Sequence, residues 1–480
     1  MTKLLTASTA RMMISSKDIL FRDNAKYHFL WISRMVNCTM VGFVRQAGNF
    51  LPDQQQWFDQ QYTHQMLEMV IITAMRISSL VQRISQYFSS AGGTKTAMWI
   101  VYFVYWAGMA AVIPFISLYY ENVNLGGAQI GQLNSIRSFI TFFSSILFAF
   151  ASDVTKKHKL VLRLCVIGMV IALLLYPAAS TFTAFIPIVL LFSIFDAPAN
   201  PIMDETSMAA LQNPRDYGKL RVGGSFGWGL MVLATGYLID RLEMGLTVIF
   251  YLQIAFLAVL FILTFIMPDA AAARAGKGEK PTLQDVWRLV RQPGILMVMA
   301  LTMIWGIGQS GVSSFLFLHI RYLGGSSTLM GTAMATSLIG EIAAFSFTHQ
   351  IQERLGPKRM MVISFIIQFV WFTGLALIRD PHIIPFFQLF GGASFGLMQS
   401  GSVAYVDGCA PARLGTTAQA IRGGILLGLG IGIGSVINGF IYQTSGSSVV
   451  FRSMGWLAMG GFLFGITAYS LAKRHIADRR

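Results

Sequence analysis

From Thr96 onward, apolar stretches long enough to cross a lipid bilayer follow one another with little between them. No other feature of the chain restricts its fold as much. Hydrocarbon offers backbone N–H and C=O groups no partner, so each stretch must close its own hydrogen bonds as a helix. Twelve spans are predicted: 96–120, 129–151, 161–178, 182–211, 222–240, 246–267, 293–318, 328–349, 360–378, 383–407, 415–442 and 449–472. Composition agrees. Only 12% of residues are Asp, Glu, Lys or Arg, against 54% apolar; a soluble domain carries about 25% charged residues. A soluble enzyme, a disordered chain and a nucleic-acid-binding domain are therefore excluded. The expectation is an all-α membrane protein with twelve transmembrane helices.

The net charge of +15 sits in the short connections. One set of loops and the C-terminus hold nineteen Lys/Arg, among them Lys156, Lys157, Lys159, Lys219, Arg221, Arg354, Lys358 and Arg413. The opposite set holds Arg241, Arg321 and Arg379, with Arg452 at the edge. Basic loops stay on the cytoplasmic side. An even number of spans then places both termini in the cytoplasm. Residues 1–94 are a separate cytoplasmic extension, with an amphipathic segment near 62–90 that suits a membrane surface. The first six spans (95–267) and the last six (293–480) are separated by a polar linker, 268–292. Cys38, Cys165 and Cys409 have no metal-type spacing, and no disulfide framework is implied. No P-loop, H-E-x-x-H or nucleophile elbow is present. No metal, cofactor or catalytic residue is expected.

The two halves read as copies offset by about 200 residues. Gly131 and Gly331 open the second and eighth spans. Asp204 and Asp407 close the fourth and tenth. Arg221-Val222-Gly223-Gly224 and Arg422-Gly423-Gly424 fall in the fifth and eleventh, which also carry Gly236 and Gly439. Both copies start on the same side, so the repeat is parallel, about an axis along the membrane normal. In this the chain resembles the major facilitator superfamily over residues 95–480. Asp204, Tyr217-Gly218-Lys219-Leu220-Arg221 and Gly224-Ser225-Phe226-Gly227 resemble its phenylpropionate-permease and nucleoside:proton symporter-like branch. The loop from Asp153 to Lys157 resembles part of the superfamily's basic signature. The resemblance implies two pseudo-symmetric six-helix halves and transport by alternating access. It also implies proton coupling and a solute such as an aromatic carboxylate, a nucleoside or a saccharide.

Charges inside spanning helices are costly, and they usually face a cavity or a partner. Asp196 falls in mid-span, followed by Ala197-Pro198-Ala199-Asn200-Pro201. The two prolines remove backbone donors and break the helix. Broken helices at matching places in two halves mark a transporter's binding site. The matching tenth span is loosened by Gly391, Gly392, Gly396 and Gly401 around Gln399. Glu341, within the eighth span, is a second carboxyl suited to carrying a proton. Arg137 either pairs with Glu341 or binds a solute carboxylate. Tyr102, Tyr105 and Trp106 on the first span and Trp305, Gln309, Ser313 and Ser314 on the seventh would line the cavity with rings, amides and hydroxyls. Asp153, Asp204, Arg221, Asp407 and Arg422 are assigned to a cytoplasmic gate. Asp204 would pair with Arg221, and Asp407 with Arg413 or Arg422.

The expected protein is thus a multi-pass secondary transporter, most simply in the plasma membrane, with an organelle membrane as the alternative. It is expected to work as a monomer on a small solute and protons, without nucleic acid. The alternative is a transporter-fold sensor or scaffold that no longer moves solute.

Overall fold

The computed structural model describes residues 91–480, except 156–157, 211–216, 243–244, 266, 268–282, 411–414 and 478–480. The extension before residue 91, with its predicted amphipathic segment, lies outside the described residues. So does the linker before Leu283.

The first predicted span is α1 (Ala91–Val112) and α2 (Ile116–Asn122), interrupted where Pro114 lacks an N–H. Next come α3 (Gly127–Thr155) and α4 (His158–Leu175). The fourth span is two helices, α5 (Phe182–Asp196) and α6 (Ala199–Ala210). α7 (Tyr217–Leu242) and α8 (Val248–Leu263) complete the first six spans. The linker ends in the short α9 (Leu283–Val290). α10 (Pro293–Tyr322), α11 (Ser327–Ser346), α12 (Thr348–Leu377) and α13 (Ile384–Cys409) follow. The eleventh span is α14 (Gly415–Gly423), a π-helical turn (Gly424–Gly430) and α15 (Ile431–Ser445); the twelfth is α16 (Ser447–Ala477).

All twelve predicted spans therefore coincide with helix. Among the described residues, nine are long and apolar enough to cross a membrane by length and composition. Three boundaries move. The span drawn as 182–211 is bent in two at Ala197-Pro198, the break its sequence predicts. The eighth rod runs on past Ser346 through Thr348–Leu355 and reverses at Gly356, whose φ of 75° favours glycine. The run of glycines in the eleventh span holds a π turn, Gly424–Gly430.

The packing repeats. Spans 1 and 5, 1 and 6, 2 and 4, 3 and 4, and 3 and 6 touch. Six positions later, 7 touches 11 and 12, 8 touches 10, and 9 touches 10 and 12. The halves meet at two seams, α3 against α15 and α7 against α11. Each is the other's image under the repeat. Outward faces are apolar. Leu160, Leu164, Ile167, Ile171 and Leu174 form one stripe of α4, each 45–57% exposed. A stripe of that kind is stable against lipid and not against water.

The seams explain the repeated glycines. A Cβ on Gly131 would strike the Ser435 carbonyl and lie 2.9 Å from Gly439 Cα. A Cβ on Gly331 would lie 2.6 Å from the Val232 carbonyl oxygen. Backbones meet there directly, as small residues allow within a membrane. Polar contacts close the same end of the molecule. Asp240, near the end of α7, accepts from the backbone N–H groups of Ser327 (3.0 Å) and Thr328 (2.6 Å), which open α11. In the mirror position, Gln443 of α15 accepts from the N–H of Ala128 at the start of α3, at 3.0 Å. Each half thus caps a helix of the other. Glu121 of α2 joins them, accepting from Tyr442 (2.8 Å) and pairing with Arg321 (3.2 Å). Phe115 and Phe317 meet edge to face across the same boundary.

Candidate functional site

The break between α5 and α6 builds the site. α5 ends at Asp196 because Pro198 cannot donate the next helical hydrogen bond. The carboxylate is left where four helices meet, and Asp196 is only 6% exposed. Its Oδ1 accepts from the Tyr105 hydroxyl of α1 at 3.0 Å. Its Oδ2 lies 3.6 Å from Arg137 Nη2 of α3. That is a contact of opposite charges, longer than a good hydrogen bond. The Arg137 guanidinium also lies 6.0 Å from the centre of the Phe192 ring. Arg137 therefore pairs with Asp196 and not with Glu341, the partner considered from sequence.

Three residues away on the same face of α1, a second group repeats the pattern. Tyr102 donates to Asp204 Oδ1 at 2.6 Å, and Arg221 Nη1 stands 3.6 Å from Asp204 Oδ2. The arithmetic is helical. Tyr102 and Tyr105 are three apart, and Asp196 and Asp204 are separated by eight residues across the break. The Asp204–Arg221 contact expected for the gate is present. The Arg221 side chain is half exposed, at 50%.

Trp106 packs edge to face on Tyr105 and on Trp228 of α7, with ring centres 5.4 and 5.9 Å apart. Asn200, in the first turn of α6, and Gln309, on α10, each bury a side-chain carbonyl oxygen with no hydrogen-bond donor among the described residues. Such an oxygen is costly to leave unmet. It suits a hydroxyl or N–H brought by a solute or by water. Trp305 does not line a cavity. It is fully buried, and its indole N–H donates to Ser394 Oγ at 3.1 Å.

In the last six spans the geometry departs from expectation at the gate. Asp407 is exposed and makes no ion pair among the described residues. Arg422 turns inward instead. Its Nε donates to Gln419 Oε1 (2.9 Å), and its Nη1 to Gln399 Oε1 (3.0 Å) and Ser402 Oγ (3.1 Å). The amide of Gln399 reaches the arginine that the carboxylate of Asp407 does not. Asp407 is two turns further along α13 than Gln399, at the helix end. Glu341 is partly buried beside the glycine-rich face of α13, and it too has no hydrogen-bond or ion-pair partner among the described residues. Asp153 falls in α3, with its side chain outside the described residues. Arg413 is outside them altogether. No cluster of His, Cys, Asp or Glu that could hold a metal occurs among the described residues.

Sequence reasoning placed Tyr102 among the cavity aromatics and missed its hydroxyl bond to Asp204. The spacing of the two tyrosines against the two aspartates carried that signal. It also missed Asp240, Glu121 and Gln443, which act across the boundary between the halves. An Asp ending one span and Ser326-Ser327-Thr328 opening another were the available clue.

The arrangement is a pair of six-helix bundles, each with buried charge, the first carrying it at a broken helix. Comparison with known proteins agrees. Maltose permease of Geobacillus stearothermophilus is 26% identical over 74% of this chain and 89% of its own length. The multidrug resistance protein MdtG of Salmonella choleraesuis is 25% identical over 63% of this chain and 77% of its own. The crystal structure of the nucleoside transporter NupG superposes with a TM-score of 0.69 at 17% identity. It covers 78% of this chain and 98% of that one. A family model described as the MFS_1-like family matches residues 95–453. The chain belongs to that family: it is a multi-pass membrane transporter of the major facilitator type.

Proposed function

We propose that the protein is a proton-coupled secondary transporter of a small organic solute, with Asp196 as the group that carries the proton. The observation that carries the reading is the Tyr105–Asp196–Arg137 cluster at the break of the fourth span. A carboxylate with one hydroxyl donor and one guanidinium at 3.6 Å can be held in either protonation state. Ionised, it is held by Arg137. Protonated, it keeps its bond to Tyr105 and frees Arg137 to turn elsewhere. Exchange between those states couples the proton to the position of a charged side chain.

Basic loops orient the molecule, with Arg221 and Asp407 toward the cytoplasm and Glu121 and Arg321 outside. The cross-half caps then form an external seal, and Asp204–Arg221 belongs to the internal gate. The solute would sit between the halves, against Tyr105, Trp106 and Asn200 on one side and Gln309 and Gln399 on the other. The solutes named in relatives, maltose and nucleosides, and aromatic carboxylates are the classes to try. Glu341 is a second proton carrier on the opposite half.

The test is uptake by purified protein in liposomes, with and without an inward proton gradient, beside counterflow of labelled against unlabelled solute. Asp196→Asn should lose gradient-driven accumulation and keep counterflow. Accumulation at wild-type level in Asp196→Asn would remove Asp196 from coupling. Absence of counterflow in the wild type with every class would overturn the transport reading.

A further inference from the structure

Arg221 and Arg422 occupy equivalent places in the repeat, yet only Arg221 has a carboxylate. Arg422 is 6% exposed. Its three hydrogen bonds go to neutral oxygens of Gln399, Ser402 and Gln419. Its Nη2 donates to nothing among the described residues, and no ion pair reaches it there. Next to it Gly423 borders open space: nothing lies within 4 Å of where a Cβ would stand. A guanidinium taken out of water without a counter-charge is costly, and more so within a membrane. Neutral acceptors orient it but do not neutralise it.

We propose that Arg422 is an anion site, and that the transported solute carries a carboxylate that it binds. This rests on the transporter reading and names the solute class for it. Gln419 takes Nε, and Gln399 and Ser402 take Nη1, which fixes the plane of the guanidinium and leaves Nη2 to meet a carboxylate oxygen; the single ammonium of lysine offers no such divided set of donors. The partner is an acid that arrives with the solute, since the acid that the repeat supplies, Asp407, is exposed at the end of α13. The two halves then divide the work. The first holds its own carboxylate on Arg137 and exchanges a proton there. The second presents an uncompensated cation to the solute. A carboxylate and a proton crossing together move no net charge.

The test is thermal unfolding of the full-length protein in detergent, at fixed ionic strength, with acetate, benzoate and succinate against the matching amides. At least one acid should raise the melting temperature where its amide does not. Arg422→Gln should remove that shift, and Arg379→Gln, a change at an exposed loop arginine, should keep it. Where Arg422→Gln fails to fold, Arg422→Lys serves, with affinity for the acid expected to fall about tenfold. Acids that do no better than their amides overturn the proposal, as does an unchanged shift in Arg422→Gln or Arg422→Lys. Counterflow of a neutral sugar or nucleoside that no acid inhibits also overturns it, while leaving transport itself intact.

Discussion

At the scale of single residues, the Asp196–Arg137 contact is a trade between burial and attraction. Removing one partner of a buried pair leaves an uncompensated charge, and that costs about 3 kcal/mol or more. Arg137→Gln is expected to destabilise by about that amount. The double variant Arg137→Gln with Asp196→Asn should recover most of the loss, because no charge is stranded. Melting of the four proteins in one detergent measures the cycle, and additive losses would show that the contact contributes nothing. Tyr105→Phe removes only a hydroxyl and should cost about 1 kcal/mol. Asp196, Arg137 and Asn200 were legible in the sequence because charge and amide stand out inside apolar runs. The hydroxyl bonds of Tyr102 and Tyr105 were not. Which side of α1 faces α5 is decided by packing, and a tyrosine in an apolar helix looks the same on either side. The Asp407–Arg422 contact is absent for a related reason. The repeat aligns Asp407 with Asp204 and Arg422 with Arg221, but Arg422 is engaged by Gln399, Ser402 and Gln419 instead.

At the scale of elements, the fourth span owes its bend to Pro198. Pro198→Ala restores an N–H and lowers the cost of a continuous helix by up to about 3 kcal/mol. The variant should melt no lower than wild type while its uptake rate falls severalfold, because the carboxylate at the break is drawn back into a regular turn. Uptake at the wild-type rate would show that the break is incidental. Helix existence was almost wholly legible, since an apolar run of about twenty residues has few other fates. The π turn at Gly424–Gly430 was not. A glycine run is compatible with any tight helix, and the Phe142 ring that lies against Gly424 and Gly428 comes from a distant part of the chain.

At the scale of the whole molecule, the two halves cap one another's helices, once through a charge and once through an amide. Asp240→Ala should weaken the closed state by about 1 kcal/mol, the usual worth of such a cap. That is about a fivefold change in the ratio of states. In a variant without native cysteines, labelling of a cysteine placed at the seam position Ser435 should quicken by the same factor. An unchanged rate would show that the cap does not hold this end shut. The cap and the glycine seams have one further consequence. At both seams, α3 on α15 and α7 on α11, backbone bears on backbone at a glycine: Gly131 on Gly439, and Gly331 on Val232. Two such bearings define a line. Turning one bundle against the other about that line is the rigid motion that would keep both in register, and the repeat that duplicated the helices would then also supply its axle.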